Sequence, residues 1–94
     1  MTIAIKFIGS LRHVLGTGEL ALSCKSYVAI RELMNEIIKE LPELKRSRID
    51  QQLGDPRPNT LVLVNGREIS VLDGLETKLK DGDEVVLIPF VHGG

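Results

Sequence analysis

The sequence ends in Glu84-Val85-Val86-Leu87-Ile88-Pro89-Phe90-Val91-His92-Gly93-Gly94, an apolar run that passes into two glycines. A short apolar run of this kind predicts a β-strand, here over residues 84–90. Glycine has no Cβ, and four extended residues reach at most about 14 Å, so such an end can enter a narrow pocket of another protein. We therefore predict a folded domain over residues 1–90 and a flexible tail over residues 91–94 that presents the carboxylate of Gly94.

Length and charge limit the kind of protein. A chain of 94 residues forms one domain with a modest core. The 12 basic and 13 acidic residues give a net charge of −1, so no strong overall field attracts nucleic acid or a membrane. No apolar run approaches the roughly 20 residues of a membrane helix, and the first residues lack a signal-peptide pattern. We expect a cytoplasmic protein that binds neither nucleic acid nor membrane directly and recognises its partners through local surfaces.

The first quarter of the chain predicts two strands. Apolar side chains alternate with polar or small ones over residues 2–8; they are Ile3, Ile5 and Phe7. Residues 16–18 predict a turn, and residues 19–24 alternate again, so we expect a second strand antiparallel to the first. The lone cysteine, Cys24, excludes an intramolecular disulfide and fits a reducing cytosol. It is in phase with the apolar residues of the second strand, and we expect an inert, buried thiol rather than a redox site.

A helical pattern follows the second strand. Apolar side chains recur at spacings of three and four; they are Ile30, Leu33, Met34, Ile37, Ile38 and Leu41. This spacing predicts an amphipathic helix over residues 27–41, with Ser26 as its N-cap and an end near Pro42. The apolar stripe of this helix must cover the sheet. Residues 42–59 are irregular, and we predict a long loop with at most one helical turn.

The second half of the chain predicts a hairpin and a last strand. Residues 60–64 are apolar without alternation, which indicates a strand with apolar side chains on both faces. Asn65-Gly66 is typical of a two-residue hairpin turn, because both positions tolerate positive φ. Asp73-Gly74 and Asp81-Gly82-Asp83 predict further turns. The order ββαβ(β)β predicts an α+β fold, in which a mixed sheet of four or five strands carries one main helix on one face and places the first and last strands side by side.

Four segments form a more specific combination: KFIGSLR at residues 6–12, LVNGREI at 63–69, LKDGDEV at 79–85 and PFVHGG at 89–94. Their order, together with the terminal Gly-Gly, resembles the ubiquitin-like sulfur carriers of the MoaD/ThiS family, typified by the small subunit of molybdopterin synthase and the thiamine carrier ThiS. The resemblance extends over nearly the whole chain. It implies a ubiquitin-like β-grasp fold, which agrees with the predicted α+β class.

The resemblance also implies the chemistry of the tail. In such carriers a ubiquitin-activating-type adenylyltransferase adenylates the terminal glycine with ATP and magnesium, and the adenylate is then converted to a thiocarboxylate. Gly94 would carry the sulfur, and Gly93 would let the tail pass into the partner. The chain would bind no metal or cofactor and would be no enzyme on its own. The leading interpretation is the sulfur-donating small subunit of molybdopterin synthase in molybdenum cofactor biosynthesis, with the large subunit as its partner.

Two other functions stay open. The ending His92-Gly93-Gly94 is similar to that of the ubiquitin-related modifier involved in transfer-RNA thiolation and protein conjugation. The chain would then be a modifier joined through Gly94 to target-protein lysines, or a sulfur donor for transfer RNA. The third interpretation is a non-covalent interaction module with a passive tail. His92 is either a spacer or a hydrogen-bonding residue in the partner's pocket.

Strand pairing predicts an apolar surface on the sheet face away from the helix. Ile8 would lie beside Ile88 there, and the further members are Leu61, Leu63, Phe90, Val91 and His92. Members of the family that this chain resembles use this face to bind their partner enzymes, and a monomer seldom exposes a large apolar patch. We therefore predict that this surface is a partner interface. The alternative is burial under residues 42–59. The basic residues of that loop are expected to be solvated surface rather than a phosphate-binding patch; they are Lys45, Arg46, Arg48 and Arg57.

Overall fold

The structure, a computed structural model, describes residues 1–24, 28–40 and 60–89. Its helices and strands are β1 (Thr2–Phe7), α1 (Ser10–Leu15), β2 (Glu19–Ser23), β3 (Val28–Ala29), α2 (Ile30–Glu40), β4 (Thr60–Val64), β5 (Arg67–Glu68), β6 (Lys78–Leu79) and β7 (Glu84–Pro89). Two short 3-10 helices, Ile69–Val71 and Gly74–Glu76, connect β5 to β6. Leu41, the predicted loop over residues 42–59 and the predicted tail lie outside the described residues.

Five strands form a mixed sheet in the order β2-β1-β7-β4-β5. β1 pairs antiparallel with β2 and parallel with β7, and β7 pairs antiparallel with β4. The first and last strands are therefore side by side, as predicted, and β7 is central. A separate two-stranded ladder joins β3 to β6. This sheet, with one main helix, confirms the predicted α+β class.

One face of the sheet and α2 enclose the hydrophobic core. The inward side chains of the three central strands are buried; they include Ile3, Ile5, Phe7, Val62, Val85 and Leu87. Four buried side chains of α2 face them; these are Ile30, Leu33, Met34 and Ile37. Apolar side chains recur at every second residue of the strands and at every third or fourth residue of the helix. Each spacing places these side chains on one face, and the two faces pack against each other here. Full burial of such a side chain stabilises the fold by about 1.5–3 kcal/mol.

The helix α2 begins at Ile30, three residues later than predicted. The segment before it is the strand β3, which pairs with β6 from the other end of the chain and therefore keeps an extended backbone. The amide of Ala29 donates a hydrogen bond to Glu32 Oε1 at 3.0 Å, which satisfies one of the donors left free at the start of a helix. Ser26, the predicted N-cap, lies outside the described residues, and β3 lies between it and the first residue of α2.

The short helix α1 was not predicted from the sequence. Gly9 precedes it with φ 65° and ψ −135°, a conformation that glycine adopts far more readily than other residues. Gly16 ends it in the left-handed region, where its amide donates to the Arg12 carbonyl at 3.1 Å. The buried side chain of Leu11 packs in the core. A helix of 6 residues completes less than two turns, so it is too short for a repeating pattern to indicate it.

Asn65 and Gly66 form the predicted hairpin turn between β4 and β5. Their φ angles of 49° and 86° are the pair of positive values that this turn requires. The Asn65 amide donates to the Glu84 carbonyl at 2.9 Å, and the Asn65 side-chain oxygen accepts from the Glu84 amide at 3.0 Å. These two bonds join the hairpin to the first residue of β7.

Candidate functional site

The outer face of the sheet, away from α2, carries a continuous apolar strip. We define this strip as Ile8, Leu61, Leu63, Val86 and Ile88. Leu61 pairs with Ile88, and Leu63 pairs with Val86, across β4 and β7. The amide of Ile8 donates to a carbonyl of β7 at 3.0 Å and extends the parallel ladder, so Ile8 lies beside Ile88 as predicted. The sequence-based prediction omitted Val86. Val86 lies two residues before Ile88 in the same strand, so its side chain could have been expected on the same face of the sheet as that of Ile88.

The strip is partly open to solvent. Ile8 is 43% exposed, and the other four members are half-buried. Their neighbours along the same strands point inward, and Val62 and Leu87 are both 0% exposed. Contiguous apolar side chains that stay partly exposed on an outer face are typical of a protein-binding surface. The alternative prediction, burial under residues 42–59, concerns a segment outside the described residues.

Charged side chains border the strip towards the start of β7. Lys6 Nζ lies 3.0 Å from Glu84 Oε2, which bridges β1 and β7. Lys6 also pairs with Glu19 in the register of β1 and β2. The hydrogen bond to Glu84 and the attraction of its charge raise the pKa of Lys6 above its ordinary value. Because this ion pair is exposed, it defines the polar border of the strip more than it stabilises the fold.

The strand β7 ends beside the strip. Its last residue, Pro89, pairs with Thr60 of β4 and follows Ile88 directly. β7 is a central strand with a neighbour on each side, so the last described residue belongs to a strand anchored within the sheet. The predicted site residues beyond it lie outside the described residues; they are Phe90, Val91, His92, Gly93 and Gly94.

A metal site and a membrane-spanning helix are both absent from residues 1–24, 28–40 and 60–89. No three His, Cys, Asp or Glu side chains in these ranges lie close enough to hold a metal ion, and no helix in them is long and apolar enough to cross a membrane. Cys24 is half-buried rather than buried as predicted, because it lies at the end of the edge strand β2, opposite the first residue of the chain. Burial still raises the pKa of the Cys24 thiol, which keeps it protonated and poorly nucleophilic.

Known proteins resemble the whole chain. A family model described as the ThiS family matches residues 5–94. Small archaeal modifier protein 3 of Haloferax volcanii is 31% identical over 94 residues, a match that covers 100% of both chains. The sulfur carrier protein CysO of Mycobacterium tuberculosis is 34% identical over 76 residues, which is 74% of this chain and 81% of the relative. The solution structure of Urm1 from Trypanosoma brucei has a TM-score of 0.81 at 28% identity and covers 99% of this chain and 95% of that one.

These similarities agree with the geometry of the chain. The likeness to Urm1 over nearly the whole length confirms the ubiquitin-like β-grasp fold that the five-stranded sheet and single main helix form. The family model extends from β1 to the last residue, so it includes both the strip and the Gly-Gly end. The chain therefore belongs to the ThiS family, a group of small ubiquitin-like sulfur carriers and modifiers.

Proposed function

We propose that this chain is a sulfur carrier that a ubiquitin-activating-type adenylyltransferase activates at Gly94. The observation that carries the proposal is the position of the strip, which lies at the end of β7 directly before a tail that closes with Gly93-Gly94. Membership of the ThiS family supports the same chemistry. The folded body, over residues 1–90, docks through the strip, and residues 91–94 enter the partner's active site as a flexible tail.

Activation is needed because a carboxylate oxygen is a poor leaving group. The partner first joins the Gly94 carboxylate to AMP from ATP, with loss of pyrophosphate, in a site that supplies magnesium. A sulfur nucleophile then attacks the carbonyl carbon, and AMP leaves, so that Gly94 carries a thiocarboxylate. Gly93 has no side chain to hinder entry into a narrow active site. The body of the chain supplies recognition, while the partner supplies the nucleotide, the metal and the reacting groups.

For the sulfur acceptor we propose the molybdopterin precursor. The chain would act as the small subunit of molybdopterin synthase, with the strip docked on the large subunit. The segments at residues 6–12, 63–69 and 79–85 support this assignment through their resemblance to that subunit. Because the activation consumes ATP, we expect it to take place in the cytoplasm.

One comparison favours a second function, conjugation of Gly94 to target-protein lysines. The relative that matches all 94 residues, at 31% identity, is named a modifier. Both functions begin with the same adenylate, since either a sulfur nucleophile or a lysine amine can displace AMP. Transfer RNA is a further acceptor for the same thiocarboxylate.

The first experiment tests the activation. The purified chain is incubated with the adenylyltransferase of the same organism, ATP, magnesium and a sulfide source, and its intact mass is recorded. We expect the mass to rise by the difference between sulfur and oxygen, at Gly94. A chain without Gly94 is the control and should stay unchanged. If the enzyme catalyses ATP–pyrophosphate exchange with another carrier but leaves this chain unmodified, the proposal is wrong.

The second experiment separates the acceptors. Cells in which the chain lacks Gly94 are assayed for molybdenum cofactor, for thiolated transfer RNA and for Gly-Gly remnants on lysines. Loss of the cofactor alone supports the molybdopterin assignment, and remnants that disappear with Gly94 support conjugation. Retention of every function without Gly94 would instead indicate a non-covalent interaction module.

A further inference from the structure

A second surface feature lies next to the strip, at the helix α1. A cleft of about 430 Å³ opens between α1 and the turn that leads into β2. The residues that line it are Gly9, Arg12, His13, Gly16, Thr17 and Gly18. None of these residues is acidic. The guanidinium of Arg12 is the one group among them that is positively charged at every physiological pH. The cleft is therefore a local positive site on a protein whose net charge is −1.

The side chain of Arg12 lies close to the backbone of Gly18. A Cβ added at Gly18 would lie 3.0 Å from Arg12 Nε and 3.3 Å from Arg12 Cδ and Cζ. Gly18 has no positive φ, unlike Gly9 and Gly16, so its backbone conformation does not require glycine. Glycine at this position instead leaves room for the guanidinium to lie across the turn. A larger residue at position 18 would push the charged group away from this position.

Arg12 differs from the paired cations of this fold. In the described ranges, Lys6, Arg31 and Lys39 each lie within 4.0 Å of a carboxylate. Arg12 is exposed, and it makes no such ion pair with a described residue. A guanidinium presents a planar set of donors that matches a carboxylate in two parallel hydrogen bonds. The geometry of the cleft therefore suits a carboxylate from outside the described part of the chain.

The cleft also lies close to the end of β7. A Cβ added at Gly9 would lie 3.7 Å from Pro89 Cγ, so the start of α1 packs on the last residue of β7. Ile8, a member of the strip, directly precedes Gly9. A protein that covers the strip and receives the residues after Pro89 would therefore lie next to α1, the helix that carries Arg12. Opposite charges at the edge of an interface guide docking and fix its register.

We propose that Arg12 binds a carboxylate side chain of the adenylyltransferase that receives the tail, and that Gly18 positions Arg12 for this contact. The inference rests on the proposed function, because it names a contact of the partner that activates Gly94. The strip supplies the apolar part of the interface. Arg12 supplies its orienting charge and touches no reacting atom, so it affects binding of the carrier and not the rate of the chemical step.

The test uses the full chain as the substrate of the adenylyltransferase. Four variants are compared: Arg12→Ala, Arg12→Lys, Gly18→Ala and, as a charge-matched control, Arg67→Ala. Arg67 is an exposed residue of β5 outside the cleft and the strip. We expect Arg12→Ala to raise KM for the carrier about tenfold with kcat within about twofold, and Arg67→Ala to change neither. Arg12→Lys should be intermediate, because lysine keeps the charge and loses the paired hydrogen bonds.

Gly18→Ala is the most informative variant, because it keeps every charge. The added methyl displaces only the far end of a flexible side chain, so the fold should survive, and thermal unfolding checks this. We expect a smaller rise in KM in the same direction. We also expect KM of the wild-type chain to rise more steeply with salt than KM of Arg12→Ala, a difference that a purely structural role would not produce.

The outcomes separate this inference from the function on which it rests. If the wild-type chain is adenylated and Arg12→Ala has the same KM and salt dependence as Arg67→Ala, the role of Arg12 is wrong and the proposed function stands. If the wild-type chain is not adenylated at all, the proposed function fails. The affinities of the same variants for the enzyme, measured by calorimetry, then decide whether Arg12 contributes to docking.

Discussion

Asp83 joins two turns at once. Asp83 is 8% exposed, and its carboxylate oxygens accept hydrogen bonds from Asn65 Nδ2 at 3.0 Å and from the Lys80 amide at 2.9 Å. A buried carboxylate is tolerated only when hydrogen bonds replace those it made to water. Asn65 is in turn bonded to the first residue of β7. A single aspartate therefore connects the β4–β5 hairpin to the turn that starts the last strand.

Replacing Asp83 by alanine should lower the free energy of unfolding by about 2 kcal/mol, because two donors lose a charged acceptor. Urea unfolding at neutral pH measures the change. Asp73→Ala is the matched control, since Asp73 is exposed and its side chain makes no capping bond to the helix that follows. Asp73→Ala should lower the free energy of unfolding by less than about 0.5 kcal/mol. Equal unfolding midpoints for the two variants would contradict the role of Asp83.

The thiol of Cys24 should react slowly, since burial raises its pKa and lowers the fraction of thiolate at neutral pH. We expect iodoacetamide to modify Cys24 in the folded protein severalfold more slowly than it modifies free cysteine. The rate should rise with pH and should approach that of free cysteine in urea. Equal rates in the folded protein and in free cysteine would show that the thiol is more accessible than the structure indicates.

At the scale of elements, β7 separates the core from the strip. Val85 and Leu87 point inward and are 0% exposed, whereas Val86 and Ile88 belong to the strip. Successive side chains of a strand point to opposite faces, so one continuous apolar run builds both surfaces. The lack of polar alternation in this strand thus has a physical cause: one face packs on α2, and the other is available to a partner.

Replacing Ile88 by glutamate should weaken binding of the adenylyltransferase at least about tenfold, because the interface would have to bury an unpaired charge. Calorimetry on the folded variant measures the affinity. Val71→Glu is the control, because Val71 is 73% exposed in a 3-10 helix outside the strip. The same loss in both variants, or no loss in either, would contradict the strip as the docking surface.

The helix α2 should depend on its buried stripe. Leu33 is 0% exposed, and Leu33→Ala should destabilise the protein by about 3 kcal/mol, since it removes buried methyl groups and leaves a cavity. Asn35→Ala, on the exposed side of the same helix, should change the free energy of unfolding by less than about 0.5 kcal/mol. Urea unfolding compares the two. A small effect of Leu33→Ala would mean that the helix packs less closely on the sheet.

At the scale of the molecule, the core and the proposed reactive end belong to different parts of the chain. Among the described residues the core extends from Ile3 to Leu87, so it is complete before the last residue of β7. The proposed reactive end follows that strand. This separation explains how a tail can be modified, or conjugated to another protein, without disturbing the fold that presents it.

Deletion of Gly94 should therefore leave the urea unfolding midpoint unchanged and abolish the gain of sulfur. The two measurements are made on the same preparation, with the full-length chain alongside. Loss of sulfur with a lowered midpoint would indicate that the end also supports the fold. Retention of the mass gain would place the modification elsewhere in the chain.

Several features of the fold were predictable because they depend on local patterns. The alternation in β1, the spacing of apolar residues in α2 and the intrinsic tolerance of Asn65-Gly66 for positive φ each indicate one structure without reference to the rest of the chain. The start of α2 was mispredicted for the opposite reason. Its position depends on pairing between β3 and β6, and local preference gives way to such tertiary contacts.

The sequence by itself determined the α+β class, the helix, the hairpin and the Gly-Gly end, because periodicity and backbone preference are properties of neighbouring residues. Only the tertiary structure decided the full set of side chains in the strip and the neighbours of Arg12. Val86 completes the strip through its pairing with Leu63, and the side chain of Arg12 lies close to Gly18. The physical reason is that strand register and close packing bring together residues whose separation along the chain leaves no local pattern to predict the contact.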